Sequence, residues 1–78
     1  MTREEILNKL NNIFNQVFDR EITLLESTSA KDINGWDSLT HITIISWVEE
    51  EFEISFTMKQ VLEMQNIGDM ISIIEEEI

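Results

Sequence analysis

Apolar side chains recur at three- and four-residue steps along most of this chain, and this spacing confines it to helices. The clearest apolar face is the N-terminal one, formed by Ile6, Leu7, Leu10, Ile13, Phe14, Val17 and Phe18. Thr2, followed by Glu5, has the pattern of a capping box at the start of that helix. The sequence therefore predicts a first helix over Arg3–Phe18.

A second helix is predicted after a long interval. Asp37 is a candidate N-cap, and the helix would run from Ser38 to about Glu53. The alternation of apolar and polar residues over 52–56 is typical of a strand, but the chain offers it no partner strand. We therefore expect an extended connector that buries Ile54, with Phe56 as a second candidate for burial.

Two shorter helices follow the connector. Thr57 and Gln60 form another capping-box pattern, which opens a short helix over Met58–Glu63. Asn66 can cap the last helix. The apolar face of that helix is expected to hold Ile67, Met70, Ile71, Ile74 and Ile78. Three methionines are expected to fill gaps in the core, namely Met58, Met64 and Met70.

Residues 19–36 show no sustained apolar period and are rich in turn-forming residues. We expect a long loop that Leu24, Leu25 and Ile33 pin to the core, with a helical turn inside the loop as the alternative. An ordered loop of this length is often functional. The predicted fold class is all-α: a small four-helix bundle of three main helices and one short helix, with the long loop between helices one and two, in a single domain over residues 1–78.

Size and charge argue against several classes of function. A chain of 78 residues has a thin core and rarely encloses a deep catalytic cleft. The net charge of −11 argues against nucleic-acid partners and anionic membranes. It favours docking onto basic patches of partner proteins, with a merely solvated acidic surface as the alternative. No cysteine, secretory signal or membrane-spanning apolar run is present, so we expect a soluble, cytoplasmic monomer.

The segment Gly35–Leu39 carries the most specific chemical signal. It places Ser38 in the first turn of a helix, where backbone N–H groups are unpaired and the helix dipole adds partial positive charge. A phosphate group attached to Ser38 would be stabilised there, and Asp37 would cap the same helix end. An ordinary first-turn serine is the alternative that physics alone leaves open.

The Asp-Ser-Leu motif over 37–39, followed by an acidic stretch that ends in Phe52 and Ile54, resembles the acyl carrier protein family. The resemblance covers essentially the whole chain. It implies that Ser38 receives 4′-phosphopantetheine from coenzyme A and that the thiol of this arm carries an acyl-type cargo as a thioester. It also implies a non-catalytic carrier with three partners: a phosphopantetheinyl transferase, a cargo-loading ligase or synthase, and an acceptor enzyme.

Two positions depart from the carriers of fatty acid synthesis. Those carriers usually have a small residue in place of Trp36 and an acidic residue in place of Thr40. The Trp-Asp-Ser-Leu-Thr-His form is more similar to free-standing carriers of specialised pathways, such as polysaccharide modification or secondary metabolism. An aminoacyl or peptidyl carrier is one alternative. An acidic helical adaptor without a prosthetic group is another.

Catalytic and metal-binding interpretations are weaker. Asp37, Ser38 and His41 include the residue types of a hydrolase triad, but nothing in the sequence supplies an oxyanion hole or an orienting group beyond the base. His41 falls on the apolar side of helix two, so we expect a partly buried structural histidine. Residues 32–37 lack the glycine and acid positions of a calcium loop. We therefore predict no catalytic residue and no metal ligand.

A docking surface is predicted on the outer side of helix two. The core stripe of this helix is expected to centre on His41, Ile44, Ile45, Val48 and Phe52. The residues predicted to meet partner enzymes lie away from that stripe, and they are Leu39, Ile42, Ser46, Glu49, Glu50 and Glu53. Burial of Leu39 under the long loop is the alternative.

Overall fold

The computed structural model describes all 78 residues, Met1–Ile78, and its regular structure is entirely helical. The helices in chain order are α1 (Arg3–Phe18), α2 (Ser38–Phe52), α3 (Met58–Glu63) and α4 (Ile67–Glu77). A single 3₁₀ turn over Ala30–Asp32 interrupts the long loop between α1 and α2. The predicted all-α bundle is confirmed, and the helical turn that the sequence left as an alternative is present.

The helix starts lie where the capping residues predict them. Thr2 and Glu5 form a complete capping box at α1, and Thr57 and Gln60 form another at α3. At α4 the side chain of Asn66 accepts a hydrogen bond from the amide of Asp69. These side chains satisfy N–H groups that have no partner within the helix, and this is why the predicted boundaries hold.

A single apolar core joins α1, α2, α4 and the long loop. Its buried members are Ile6, Leu10, Ile13, Phe14, Leu24, Ile33, Ile44, Ile45, Val48, Ile67, Met70, Ile71 and Ile74. The short helix α3 contributes no fully buried residue and packs through Val61, which is half-buried. Of the four α-helices, α3 is therefore the one with the least apolar burial.

Two asparagines on α1 hold the first half of the long loop. The Asn11 side chain donates to the Ile22 carbonyl and accepts from the Leu24 amide, both at 2.7 Å. Asn15 accepts from the Ile22 amide, also at 2.7 Å. Side chains of α1 thus provide hydrogen-bond partners for the backbone groups of this part of the loop. This explains why the segment is ordered although it forms no strand or helix.

The second half of the loop is bound to the start of α4. The carbonyls of Glu26 and Thr28 accept from the amides of Gly68 and Ile67, at 2.8 and 2.9 Å. Arg3 adds an ion pair with Glu26 at 2.7 Å on the surface. The first N–H groups of α4, which have no partner within the helix, therefore donate to loop carbonyls. These bonds fix the position of the loop before it continues to α2.

Three apolar residues lie outside the core to which the sequence assigned them. Leu25, Met58 and Ile78 are all exposed, and those three assignments were wrong. Leu25 follows buried Leu24 at the start of a turn, in which its carbonyl accepts from the Thr28 amide at 3.0 Å. Ile78 follows the last helical residue, and Met58 is the first residue of α3, where few other residues cover it. Ile54, which the sequence predicted to be buried in the connector, is half-buried there. None of the helices is long and apolar enough to cross a bilayer.

Candidate functional site

Ser38 is the first residue of α2 and its side chain is exposed. Asp37 precedes it as the N-cap, with one carboxylate oxygen accepting from the Thr40 amide at 2.9 Å. Hydrogen bonds from the backbone and the hydroxyl of Thr40 hold the pKa of Asp37 below its usual range. The carboxylate is therefore ionised and turned onto the helix end, while the Ser38 hydroxyl is left free for a reagent to approach.

The turn before Ser38 is held from both sides. The Thr40 hydroxyl lies 2.9 Å from the Gly35 carbonyl and 2.9 Å from the Asp37 carboxylate. On the other side, the Arg20 guanidinium donates to the Asn34 carbonyl at 2.7 Å. Gly35 has a φ of 95°, in the left-handed region that strains any residue with a Cβ. The glycine of the Gly-Trp-Asp-Ser segment is thus needed by the backbone of the turn.

Trp36 connects this turn to the core and to α2. Its indole packs edge-on against Phe14, with ring centroids 5.1 Å apart and an interplanar angle of 79°. The indole N–H donates to Nδ1 of His41 at 3.2 Å. His41 is half-buried, as predicted, and burial lowers its pKa while a hydrogen bond to the Val61 backbone acts in the opposite direction. Neutral His41 accordingly acts as an acceptor.

A groove of about 760 Å³ opens beside Ser38 between α2 and α3. Ile45 and Met70 contribute buried apolar surface to it, and Val61 and Leu62 contribute from α3. Ser38, Asp37, His41 and the Trp36 side chain also line the groove, so it is continuous with the exposed serine. An apolar group tethered at Ser38 would find an apolar surface within reach, and no lysine or arginine lines it.

The six predicted docking residues do not form one surface. Ile42, Ser46 and Glu49 line the groove on the Ser38 side. Glu50 and Glu53 line a separate, polar depression between α1 and α2. Neighbouring helical residues point about 100° apart, so the adjacent Glu49 and Glu50 fall on different sides of α2.

Leu39 is 78% exposed, so it does not pack under the long loop. Ile42, one turn later on the same helix, is 62% exposed. Glu49 is half-buried, and its carboxylate accepts the Phe56 amide at 2.8 Å. This glutamate therefore holds the connector after α2 as well as bordering the groove.

The sequence analysis missed the α3 side of the groove. Met58 and Leu62 are 72% and 76% exposed and both line the groove opposite α2. Val61 and Leu62 follow Met58 by three and four residues, a spacing that indicates an apolar face, but only Met58 was interpreted from the sequence, as a core residue. Together with Ile42 on the α2 wall, Met58 and Leu62 give the groove three exposed apolar residues, more than the isolated apolar residues that surfaces usually carry.

The comparisons with known proteins agree with this geometry. A family model described as "Phosphopantetheine attachment site" matches residues 34–74, which include Ser38 and both walls of the groove. An acyl carrier protein from Exiguobacterium sibiricum is 32% identical, with all of both chains covered.

Two further relatives agree. A putative mitochondrial acyl carrier protein from Schizosaccharomyces pombe is 34% identical, and the match covers 91% of this chain and 62% of that protein. The solution structure of a holo acyl carrier protein from Geobacter metallireducens matches with a TM-score of 0.86 at 38% identity, covering 91% of this chain and 83% of the other.

Proposed function

Because the chain belongs to the acyl carrier protein family, we propose that Ser38 is the residue to which its 4′-phosphopantetheine is attached. Members of this family are non-catalytic carriers. The observation that supports Ser38 is its position: an exposed hydroxyl at the first residue of α2, within the matched segment and at the mouth of an apolar groove.

The surroundings of Ser38 fit the phosphodiester end of this group. Ser38 is the first residue of α2, at the end where the helix dipole favours an anion. Asp37 is occupied by the Thr40 amide, so its carboxylate caps the helix end. When bound, the arm supplies a thiol that holds the acyl cargo as a thioester. The chain's own part is to expose the serine and to offer the cargo an apolar groove.

The charge pattern of α2 supports a role in a specialised pathway over housekeeping fatty acid synthesis. From Ser38 to Val48 the helix has no acidic residue, and Thr40 is bonded to the turn instead of offering a charge. The acids begin at Glu49, in the last turn of the helix. A partner that meets the first half of α2 would need an apolar or uncharged surface there.

Partner enzymes would dock beside Ser38, on exposed apolar residues of α2 and α3. Leu39 and Ile42 belong to α2, and Met58 and Leu62 belong to α3. Among the predicted docking residues, Ser46 and Glu49 line the groove, whereas Glu50 and Glu53 lie on the α1 side of α2. A phosphopantetheinyl transferase, a cargo-loading ligase or synthase and an acceptor enzyme would each bind the apolar residues for affinity, while Glu49, Glu50 and Glu53 would attract basic patches during the approach.

The attachment site is tested by intact-mass measurement on three proteins incubated with coenzyme A and a broad-specificity phosphopantetheinyl transferase. Wild type and Ser46→Ala should each gain one phosphopantetheine, and Ser38→Ala should gain none while keeping its helical circular dichroism. Ser46 is the matched control because it is an exposed serine on the same helix and beside the same groove. An arm on the Ser38→Ala protein would refute the assignment.

The pathway is tested by the mass of the thioester on protein isolated from its native host. The proposal predicts a cargo other than the even-numbered saturated and unsaturated chains of fatty acid elongation. A ladder of such chains would contradict it. An amino acid in the thioester would assign the chain as an aminoacyl carrier.

A further inference from the structure

We propose that His41 is a positioning residue that holds the turn before Ser38 by accepting the Trp36 indole hydrogen bond, and that it does so only while its imidazole is neutral. The inference goes beyond the carrier function and concerns how Ser38 is presented to partner enzymes. It rests on the proposed function only where Ser38 is taken as the attachment residue.

The geometry of the Trp36 bond defines the protonation state of the ring. An indole N–H can only donate, so the Nδ1 that receives it at 3.2 Å must carry a lone pair. The ring centroids lie 5.8 Å apart at an interplanar angle of 30°, so the indole lies beside the imidazole with its N–H directed at Nδ1. A proton added at Nδ1 would set two donors against each other and break this bond.

Breaking the bond would act on Ser38 through the backbone. Trp36 is two residues before Ser38. Its indole also packs at nearly a right angle to the Phe14 ring on α1, and its backbone N–H donates to the Ile33 carbonyl at 3.2 Å. The Thr40 hydroxyl is the second tether of the turn, through the Gly35 carbonyl. With His41 protonated, only Thr40 would still join the turn to the side chains of α2, so the orientation of the serine would be less restricted.

Few other titratable groups face His41. Those that share its groove are Asp37 and Glu49, which are engaged by the Thr40 and Phe56 amides. The other elements that line the groove contribute uncharged residues: Ala30 from the 3₁₀ turn, Met58, Val61 and Leu62 from α3, the segment 64–66, and Met70 from α4.

Burial lowers the pKa of His41 from its ordinary value of 6.5. A hydrogen bond with the Val61 backbone raises it by less, so the net shift of the pKa is downward. The hydrogen bond from Trp36 is therefore intact at neutral pH and is lost on acidification, when the pH falls through the lowered pKa of His41. A purely packing role for the histidine would show no such dependence, because the shape of the ring does not change with protonation.

The test follows the two indole N–H signals by NMR between about pH 5 and 8, the range in which histidines titrate. Trp36→Phe and Trp47→Phe assign the signals, and the exposed Trp47 serves as the internal control. In wild type the Trp36 signal should titrate and exchange faster with solvent at low pH. His41→Asn should keep it protected at every pH, because the amide oxygen can accept without titrating. His41→Leu should leave it unprotected throughout.

The second readout is the rate at which the transferase modifies Ser38, expressed as the ratio of wild type to His41→Asn at each pH. This ratio cancels the pH dependence of the transferase itself. It should be near one at neutral pH and fall roughly two- to tenfold below the pKa of His41, the factor that one neutral hydrogen bond supplies.

A Trp36 signal that ignores both pH and His41→Leu would overturn the proposal, as would a rate ratio that stays constant while the indole titrates. If no variant gains the arm at Ser38, the attachment assignment fails, and the indole titration still decides whether His41 holds the turn.

Discussion

Replacing Leu39 by alanine should leave stability almost unchanged and should slow modification of Ser38. Leu39 is 78% exposed, so less than a quarter of its side chain is covered. Complete burial of a leucine stabilises a fold by about 1.5–3 kcal/mol, so the covered part contributes about 0.3–0.7 kcal/mol. Alanine also has the higher helix propensity, which offsets part of this loss. We expect the free energy of unfolding to fall by less than about 0.5 kcal/mol.

The assay is urea denaturation of three proteins followed by circular dichroism. With a denaturant slope of about 1 kcal/mol/M for a chain of this size, the midpoint of Leu39→Ala should shift by less than about 0.5 M. Leu10→Ala is the contrasting variant, because Leu10 is fully buried and its truncation should cost about 2–5 kcal/mol. The comparison separates an exposed leucine from a core leucine in the same fold.

Modification kinetics on the same proteins test the docking role. If Leu39 is a contact worth at least about 1 kcal/mol to the transferase, kcat/KM should fall about fivefold or more. Leu25→Ala is the matched control, because Leu25 is also an exposed leucine but lies in the loop between α1 and α2, outside the helix that carries Ser38. A loss of about 2 kcal/mol or more in the free energy of unfolding of Leu39→Ala, the cost expected for a buried leucine, would show that Leu39 is part of the core. Modification of this variant at the wild-type rate would show that Leu39 does not contact the transferase.

Three further predictions concern the scaffold. Asn11→Ala should lower the free energy of unfolding in urea by roughly 1–3 kcal/mol, because two backbone groups of the loop lose their hydrogen-bond partner. Replacing the adjacent, exposed Asn12 by alanine should be nearly neutral. Equal effects of the two substitutions would show that Asn11 does not hold the loop. Moderate NaCl should raise the melting temperature, because a net charge of −11 repels itself in the folded chain, and a flat or falling response in calorimetry would show that the acids do not strain it. Asp37→Asn should make unfolding less sensitive to acid: the folded pKa of Asp37 is lowered by Thr40, so its stabilisation is present above the ordinary pKa of aspartate and is lost as pH falls through the folded value. Urea midpoints compared at about pH 7 and about pH 3 measure this, and identical pH dependence in the two proteins would contradict it.

Capping residues made the helix boundaries predictable, because each cap acts within one turn of its own helix. The Thr2 and Thr57 capping boxes place the starts of α1 and α3 at the predicted residues. The Asp37 cap does the same for α2, and this positions Ser38 at a helix start. The features closest to the candidate site were therefore encoded locally.

Contacts between distant segments were beyond the sequence patterns. In the sequence, Asn11 is indistinguishable from any other polar residue of a helix, and its hydrogen bond to the loop is visible only in the structure. The adjacent Glu49 and Glu50 suggest one acidic patch, but the helical rotation places them on two sides of α2. Met58 and Leu62 form an apolar face that is recognisable in the sequence, but both side chains are exposed outside the core. Each of these depends on where another element packs, which periodicity along one helix does not determine.

Attachment of phosphopantetheine to Ser38 can be observed by fragmentation mass spectrometry, which localises an added group to one side chain. The wild-type chain is first incubated with coenzyme A and a phosphopantetheinyl transferase. We expect a single modified residue, Ser38, with Ser46 and the serines of the α1–α2 loop unmodified. A group localised to any other residue, or a chain that never gains it, would show that Ser38 is not the attachment residue.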